Sequence, residues 1–116
     1  MRSIQTLCTL VILLVAPLHA FAREQGVASY YADSLAGNTT ASGEAYDPTA
    51  LTAAHKSLAF GTKVRVTYLK NEKSVEVVIN DRGPHVDDRI IDLSRAAAEA
   101  IDLIDDGTGT VLVEVL

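Results

Sequence analysis

The sequence predicts a small, mainly β domain in which five or six short strands form a closed barrel, with one or two short helices. Several segments alternate apolar and polar residues with the two-residue period of a strand, and only one has a well-defined helical period. No cysteine follows Cys8, so no disulfide can stabilise the domain. A closed barrel would hide the strand edges that such a domain otherwise exposes. A small open α+β sandwich is the alternative.

Residues 1–22 are predicted to be a signal peptide. Arg2 precedes the apolar run Leu7–Ala16, which is too short to span a bilayer, and Ala20–Ala22 has the small-x-small pattern of a cleavage site. An uncut N-terminal membrane anchor is the alternative. Cys8 lies inside the apolar run and not behind it, so we expect no lipid anchor. The remaining residues, 23–116, are expected to form one domain in the periplasm or outside the cell.

The first part of this domain contains one clear strand. Gly26–Ala32 places Val27 and Tyr31 on one face, as a strand would. Residues 33–47 are rich in glycine, asparagine, threonine and serine and are predicted to be a loop. Residues 48–58 are ambiguous, because their apolar positions have helical spacing while the β-branched Thr52 disfavours a helix.

A β-hairpin is the strongest local prediction. Lys63–Lys70 and Ser74–Asn80 both alternate, and Asn71–Glu72 is a plausible two-residue turn between them. A short strand is predicted over Arg89–Leu93.

The last elements are a helix and a strand. Ser94 is a suitable N-cap for a helix that extends to about Leu103, with apolar residues at helical spacing on one face. Gly107 and Gly109 would end this helix. Val111–Leu116 alternates and is predicted to be the final strand.

Composition excludes several classes of partner. Residues 23–116 contain nine basic and fifteen acidic side chains, a net charge of −6. Nucleic acid and anionic lipid are therefore not expected as partners, because binding their phosphates needs a basic surface. The sequence has no tryptophan and few other aromatic residues, which disfavours a long sugar-stacking platform. We expect a monomer.

Asp81 is the first candidate for chemistry. It has the same parity as the inward residues Val75, Val77 and Ile79, which would place it on the inner rim of the barrel. Burial there would raise the pKa of its carboxyl group and allow it to act as a general acid. The alternative is that Asp81 only makes a turn before Gly83.

Glu44 and His55 are further candidates. Glu44 lies in a polar loop, and together with Asp81 it could form a carboxylate pair that cleaves glycosidic bonds. The alternatives are a solvated surface glutamate and a packed histidine. His85, Asp87 and Asp88 match no zinc or calcium pattern, so we predict no metal site and no cofactor.

An ordered series of motifs resembles one known family. The motifs are GVASYY (26–31), TASGEAYD (40–47), LTAAH (51–55), FGT (60–62), VRVT (64–67), INDRGP (79–84) and RIIDLS (89–94). Their set and order resemble the rare lipoprotein A (RlpA) family. The similarity extends from Gly26 to Leu116.

The resemblance implies a six-stranded double-psi β-barrel and a lytic transglycosylase. Its substrate would be peptidoglycan glycan strands without stem peptides, and its products would carry 1,6-anhydro-N-acetylmuramic acid ends. The resemblance implies catalytic positions at Glu44, His55 and Asp81. Asp81 would be the acid and base, Glu44 would stabilise positive charge or orient the sugar, and His55 would hydrogen-bond one of these carboxylates.

The predicted substrate-binding residues are Tyr30, Tyr31, Tyr46, Asn80 and Arg82. Typical family members have tryptophan where Tyr30 stands and phenylalanine where His85 stands, which bears on glycan affinity more than on the chemistry. The alternative function is a non-catalytic barrel that binds or loosens glycan, as expansins do.

Overall fold

The structure is a computed structural model that describes residues 23–116; the predicted signal peptide and Cys8 lie outside these residues. Six strands form a closed barrel, as predicted, and not an open sandwich. The strands are β1 (Arg23–Tyr30), β2 (Thr52–His55), β3 (Lys63–Tyr68), β4 (Ser74–Asp81), β5 (Arg89–Leu93) and β6 (Gly109–Val115). A 3₁₀ helix, Asp33–Leu35, and one α-helix, α1 (Arg95–Ala100), lie between them.

The order of strands around the barrel is β1-β5-β2-β4-β3-β6. The β1–β5 and β2–β4 pairs are parallel, and the other four are antiparallel. Parallel neighbours cannot be joined by a tight hairpin, so the chain connects them through long segments. The loops after β1 and β4 form the site described below.

The barrel interior is filled by the alternating apolar residues that the sequence indicated. Val75, Val77 and Ile79 of β4 are buried, and they face residues of β3 and β6 such as Val66 and Val113. Burial of a side chain of this size contributes about 1.5–3 kcal/mol. The core therefore stabilises the fold without a disulfide.

The segment 48–58, which the sequence left ambiguous, contains a strand and no helix. Thr52–His55 pairs with β4 on one side and with β5 on the other. The helical spacing of its apolar residues was misleading, because two strand partners outweigh a weak local preference. Strand β1 also starts earlier than predicted, at Arg23, because its first residues pair with β6.

The β3–β4 hairpin has a longer loop than predicted. Tyr68 and Lys73 close it through a backbone hydrogen bond of 2.8 Å, so residues 69–72 form the loop. Glu72, and not a glycine, has a positive φ of 62°. The predicted two-residue turn is therefore wrong.

Helix α1 begins as predicted but ends early. Ser94 is its N-cap and accepts a hydrogen bond from the Ala97 amide at 3.2 Å. The helix ends at Ala100, and Asp102, with a φ of 58°, turns the chain well before Gly107. Leu103 lies beyond the helix yet is fully buried, because it packs into the core. Across residues 23–116, no helix combines the length and apolarity needed to cross a membrane.

Candidate active site

A cleft of about 470 Å³ lies where the loops after β1 and β4 meet at one end of the barrel. Polar and aromatic side chains dominate its walls. The residues that line it are Ser29, Tyr30, Tyr31, Ala32, Leu35, Asn38, Thr39, Thr40, Tyr46, Asp81, Arg82, Gly83, His85, Arg89 and Asp92. A concave, polar and open surface of this kind can accept a segment of a polymeric ligand.

Asp81 is the last residue of β4 and reaches the cleft through a local irregularity. The β2–β4 pairing shifts by one residue, so that Ala53 pairs with Ile79 and Ala54 pairs with Asp81. Asn80 lies in the shift and is buried, while Asp81 is half-buried. Asp81 is therefore on the rim, as its parity predicted, although the regular alternation breaks immediately before it.

The Asp81 carboxylate accepts three hydrogen bonds. The Tyr31 hydroxyl donates to Oδ2, and the backbone amides of Ala41 and Arg82 donate to Oδ1 at 2.8 and 2.9 Å. Burial tends to raise the pKa of Asp81, but these bonds and the nearby His85 outweigh it and hold the pKa below its usual value. The expectation of a raised pKa was wrong, because the hydrogen-bond donors and His85 together outweigh the effect of burial.

Tyr31 stays protonated and acts as a donor. Burial, followed by the hydrogen bond to Asp81 and the negative charges of Asp81 and Asp92, raises the pKa of Tyr31 far above its usual value. Its ring centroid lies 4.6 Å from that of Tyr46, at an interplanar angle of 53°. The Tyr46 hydroxyl accepts a hydrogen bond from the Arg95 amide at 3.1 Å, so the first turn of α1 holds this aromatic wall in place.

Tyr30 also lines the cleft, but much of its ring packs against the core. Its hydroxyl donates to the Ile104 carbonyl at 3.0 Å. The structure therefore brings together five of the predicted site residues at the cleft, namely Tyr30, Tyr31, Tyr46, Asp81 and Arg82.

Glu44 occupies a small hairpin that packs beside Asp81. The Thr40 amide donates to the Glu44 carbonyl at 2.7 Å, and the Ser42 amide donates to the Asn80 carbonyl at 3.2 Å. The Glu44 side chain is exposed, and within residues 23–116 its carboxylate accepts one hydrogen bond, from the Ser42 hydroxyl at 3.4 Å. Neither Glu44 nor Asn80 lines the cleft. Glu44 lies in the same hairpin as Ala41, whose amide binds Asp81, and Asn80 directly precedes Asp81.

His55 is buried and fixes the loop after β2. Its Nδ1 accepts hydrogen bonds from the amides of Ser57 and Leu58, both at 3.1 Å. Its Nε2 lies 2.9 Å from Oε1 of Glu24, to which it donates as the Nε2–H tautomer that these amides require. The predicted hydrogen bond from His55 to Asp81 or Glu44 is wrong, since the carboxylate it contacts belongs to Glu24.

Arg82 lies between this loop and the cleft. Its Nη1 donates to the carbonyls of Leu58 at 2.7 Å and His55 at 3.3 Å. Its guanidinium lies 4.1 Å from the centre of the Phe60 ring, within the range of a cation–π contact. The guanidinium is thus held in one orientation at the edge of the cleft.

Several site residues were missed by sequence reasoning. Asp92 of β5 lies at the cleft and accepts a hydrogen bond from the Ser29 hydroxyl, and Arg89 of the same strand also lines the cleft. The available signal was an acid that follows two isoleucines inside the strand RIIDL. The Glu24 partner of His55 left no comparable signal, because β1 and β2 are separated by a long loop. Over residues 23–116, no three His, Cys, Asp or Glu side chains are grouped so that they could hold a metal ion.

A closed six-stranded barrel with this strand order and a polar cleft at one end defines the double-psi β-barrel class. Comparison with known proteins agrees with the geometry. The family model described as lytic transglycolase matches residues 23–114, and the chain belongs to this RlpA family.

Two relatives illustrate the similarity. A probable endolytic peptidoglycan transglycosylase RlpA from Nostoc sp. is 53% identical over 94 residues, covering 79% of this chain and 25% of the relative. The endolytic peptidoglycan transglycosylase RlpA of Campylobacter jejuni is 50% identical over 91 residues, covering 78% and 33%. The chain thus spans a quarter to a third of the length of these relatives.

Solved structures share the fold. The Streptomyces papain inhibitor superposes with a TM-score of 0.66 at 24% identity, covering 81% of this chain and 94% of that one. The expansin of Clavibacter michiganensis gives a TM-score of 0.64 at 24% identity, covering 81% and 50%. At this identity the likeness concerns the fold alone.

Proposed function

We propose that this protein is a lytic transglycosylase that cleaves the β-1,4 bond between N-acetylmuramic acid and N-acetylglucosamine in peptidoglycan strands without stem peptides. One observation carries the proposal. A half-buried carboxylate, Asp81, faces the cleft of a lytic transglycolase-family barrel and is held by neutral donors with no cation hydrogen-bonded to it among residues 23–116. Such a group is positioned for proton transfer to a sugar.

The proposed reaction needs one proton donor that becomes a proton acceptor. Asp81 protonates the oxygen that leaves C1 of the muramic acid unit, and the C1–O bond breaks. The C6 hydroxyl of the same unit then attacks C1 and returns its proton to Asp81, which closes the 1,6-anhydro ring. No water is consumed, and Asp81 ends in its starting state.

Asp81 must take up a proton before the first step, because its lowered pKa keeps it ionised in the free protein. Binding of a glycan would favour the uptake of this proton by Asp81. Burial is the largest single influence on this carboxyl group, and a sugar that displaces water from the cleft strengthens it. Binding and protonation are therefore coupled in the proposed mechanism.

Glu44 and His55 have different proposed roles. Glu44 is exposed on the hairpin that holds Asp81, and there it orients a sugar or stabilises the positive charge that develops at C1. His55 is a positioning residue, because its ring holds the loop whose carbonyls bind Arg82. Tyr31 and Tyr46 provide the aromatic wall against which a sugar packs.

The peptidoglycan substrate implies an envelope or extracellular location. We propose that the protein is exported by the signal peptide predicted at residues 1–22 and works as a monomer without a lipid anchor. The position of Cys8 inside the apolar run supports the last point.

A non-cleaving, expansin-like glycan binder is the second candidate. The specific observation in its favour is the lowered pKa of Asp81, which keeps the group ionised. An ionised carboxylate can accept hydrogen bonds from sugar hydroxyls without transferring a proton.

Product analysis distinguishes the two functions. The protein is incubated with glycan strands stripped of stem peptides, and the products are analysed by mass spectrometry. Lytic cleavage gives 1,6-anhydro ends that are absent with Asp81→Asn. Reducing muramic acid ends would show hydrolysis and contradict the mechanism, while binding without any new ends would support the second candidate.

A further inference from the structure

The basic side chains of this acidic domain divide into two groups. Five of the nine in residues 23–116 form ion pairs with carboxylates. The remaining four have no carboxylate partner within the described chain: Lys56, Lys63, Arg82 and Arg89. Three of these four, all except Lys63, line the cleft or the depression that continues it.

The depression that continues the cleft has a volume of about 340 Å³. It shares Arg82, Gly83 and His85 with the cleft and adds Lys56 on its far side. The two cavities are therefore one groove that passes over Arg82. A polymer whose reactive bond lies at Asp81 would place its neighbouring substituent over Arg82 and Lys56.

The orientation of the Arg82 guanidinium favours the binding of an anionic ligand. Within residues 23–116, the guanidinium forms hydrogen bonds only through Nη1, to the carbonyls of His55, Leu58 and, at 3.5 Å, Asp81. The Phe60 ring supports the plane of the group. The other guanidinium nitrogens of Arg82 have no carboxylate partner in residues 23–116, although the side chain is half-buried. A guanidinium held in a fixed orientation loses little entropy when it binds a carboxylate.

Lys56 adds a second positive charge to the same depression. It is exposed, and its ammonium donates to the Val86 carbonyl at 3.3 Å, which directs it toward the loop that follows Arg82. Asp87 also lines the depression, but among the described residues it forms no ion pair with Lys56 or Arg82. The local charge is therefore available to an incoming anion.

We infer that Arg82 and Lys56 form a basic subsite that binds the free lactyl carboxylate of a muramic acid unit next to Asp81. This inference rests on the proposed function, since it concerns the same groove. In a glycan strand without stem peptides each lactyl group ends in a carboxylate, whereas a stem peptide converts that carboxylate into a neutral amide. The subsite would thus distinguish stripped strands from substituted ones.

Binding measurements with matched glycans test the subsite. The protein carrying Asp81→Asn, which prevents cleavage, is titrated calorimetrically with short muramyl glycans whose lactyl groups are free acids or methylamides. We expect the free acid to bind about tenfold more tightly, the effect of one charge-assisted hydrogen-bonded contact. The preference should shrink as salt rises, since one partner is exposed.

Three variants show which residues cause the preference. Arg82→Gln and Lys56→Gln should each reduce it, and Lys63→Gln should retain it, because Lys63 is an unpaired cation on β3 away from the groove. Thermal unfolding checks that each variant is folded. If Arg82→Gln proves unfolded, Lys56→Gln decides the matter, since Lys56 makes a single exposed contact.

Other results would overturn the inference. Equal affinity for the two glycans, no binding of the free acid, or a preference that survives in both folded variants would each do so. A glycan with L-alanine on its lactyl groups carries its carboxylate further out, and binding as tight as the free acid would also contradict the assignment. Cleavage without a preference would leave the proposed activity intact, and a preference without cleavage would leave the subsite intact.

Discussion

Two tyrosine–aspartate pairs lie at opposite ends of the β3–β4 hairpin, and their carboxylates differ in the groups that donate hydrogen bonds to them. In the cleft, Tyr31 donates to Asp81, whose other partners are backbone amides. At the far end, Tyr68 donates to Asp106 at 2.5 Å, and Lys70 adds hydrogen bonds of 3.0 and 3.1 Å. Within residues 23–116, the Asp106 carboxylate is hydrogen-bonded to a cationic side chain, whereas the Asp81 carboxylate is not.

Both aspartates have a lowered pKa, but for different reasons. The hydrogen bonds of Tyr68 and Lys70 lower the pKa of Asp106, and burial opposes them only weakly. For Asp81, burial is the largest influence and raises the pKa, and several neutral donors together with the nearby His85 reverse it. Asp81 is therefore the carboxylate whose protonation can respond to a ligand, while Asp106 is a surface ion pair.

The largest expected difference between the pairs is in activity. Asp81→Asn should reduce the rate of anhydro-end formation by about 10²–10⁴-fold, because the proposed proton donor is lost. Asp106→Asn, the matched control, should leave the rate of the folded protein within about twofold of the unmutated one, since it lies outside the cleft. Both are measured by mass spectrometry of glycan products. Similar losses in both variants would mean that the effect is structural.

Gly109→Ala should disturb the far pair without touching the cleft. An added Cβ would lie 2.4 Å from Cε1 of Tyr68, and this ring is only 4% exposed and cannot move freely. We expect a loss of about 1–3 kcal/mol in the free energy of unfolding, measured with urea. Thr110→Ala, at the exposed neighbouring position, should cost about 0.5 kcal/mol or less. A loss of cleavage by the folded Gly109→Ala protein would show that the two ends are coupled.

Tyr31→Phe should change the pH dependence of cleavage. Removal of the hydroxyl takes away a donor that lowers the pKa of Asp81, so this pKa rises. Because the protonated form starts the proposed reaction, the alkaline limb of kcat should move to higher pH. Tyr68→Phe serves as the control and should leave the limb in place. An alkaline limb that stays unchanged in Tyr31→Phe would remove Asp81 from the role of acid.

The smallest expected difference concerns stability in acid and salt. A carboxyl group whose pKa is lowered in the folded state stabilises the fold above its ordinary value of 3.8, and this contribution disappears as the pH falls through the folded-state pKa. Both Asp81→Asn and Asp106→Asn should therefore flatten the acid side of the stability profile. Salt distinguishes the two variants, because about 1 M NaCl screens the Lys70–Asp106 ion pair but not the hydrogen bonds from neutral donors to Asp81. The effect of Asp106→Asn on stability should therefore shrink in salt more than the effect of Asp81→Asn. Urea unfolding at low and high salt measures this.

The fold was predictable where local pattern and tertiary pairing agree. The alternation in β3, β4 and β6 places valine and isoleucine on one face, and these residues are buried except for Val115 at the end of β6. The N-cap at Ser94 was also identifiable, since capping is a local interaction. Strand β2 was not, because the segment 48–58, whose apolar residues have helical spacing, contains a strand only when two partner strands are present.

The site was only partly predictable for the same reason. Strand parity and family resemblance identified Asp81, and the cleft contains it. The direction of its pKa shift was missed, since the compensating donors come from Tyr31 and Ala41, fifty and forty positions away in the chain. His55 was identified as a site residue, but its partner Glu24 belongs to another strand.

The sequence by itself determined the class of domain, the inward face of the hairpin and the presence of Asp81 on its rim, because these depend on residue period and on motif order. The tertiary structure alone decided which donors surround Asp81, which loop His55 holds and which basic residues remain unpaired in the groove. Those features depend on charges and hydrogen bonds between segments far apart in the chain. Only the closure of the barrel brings these segments together.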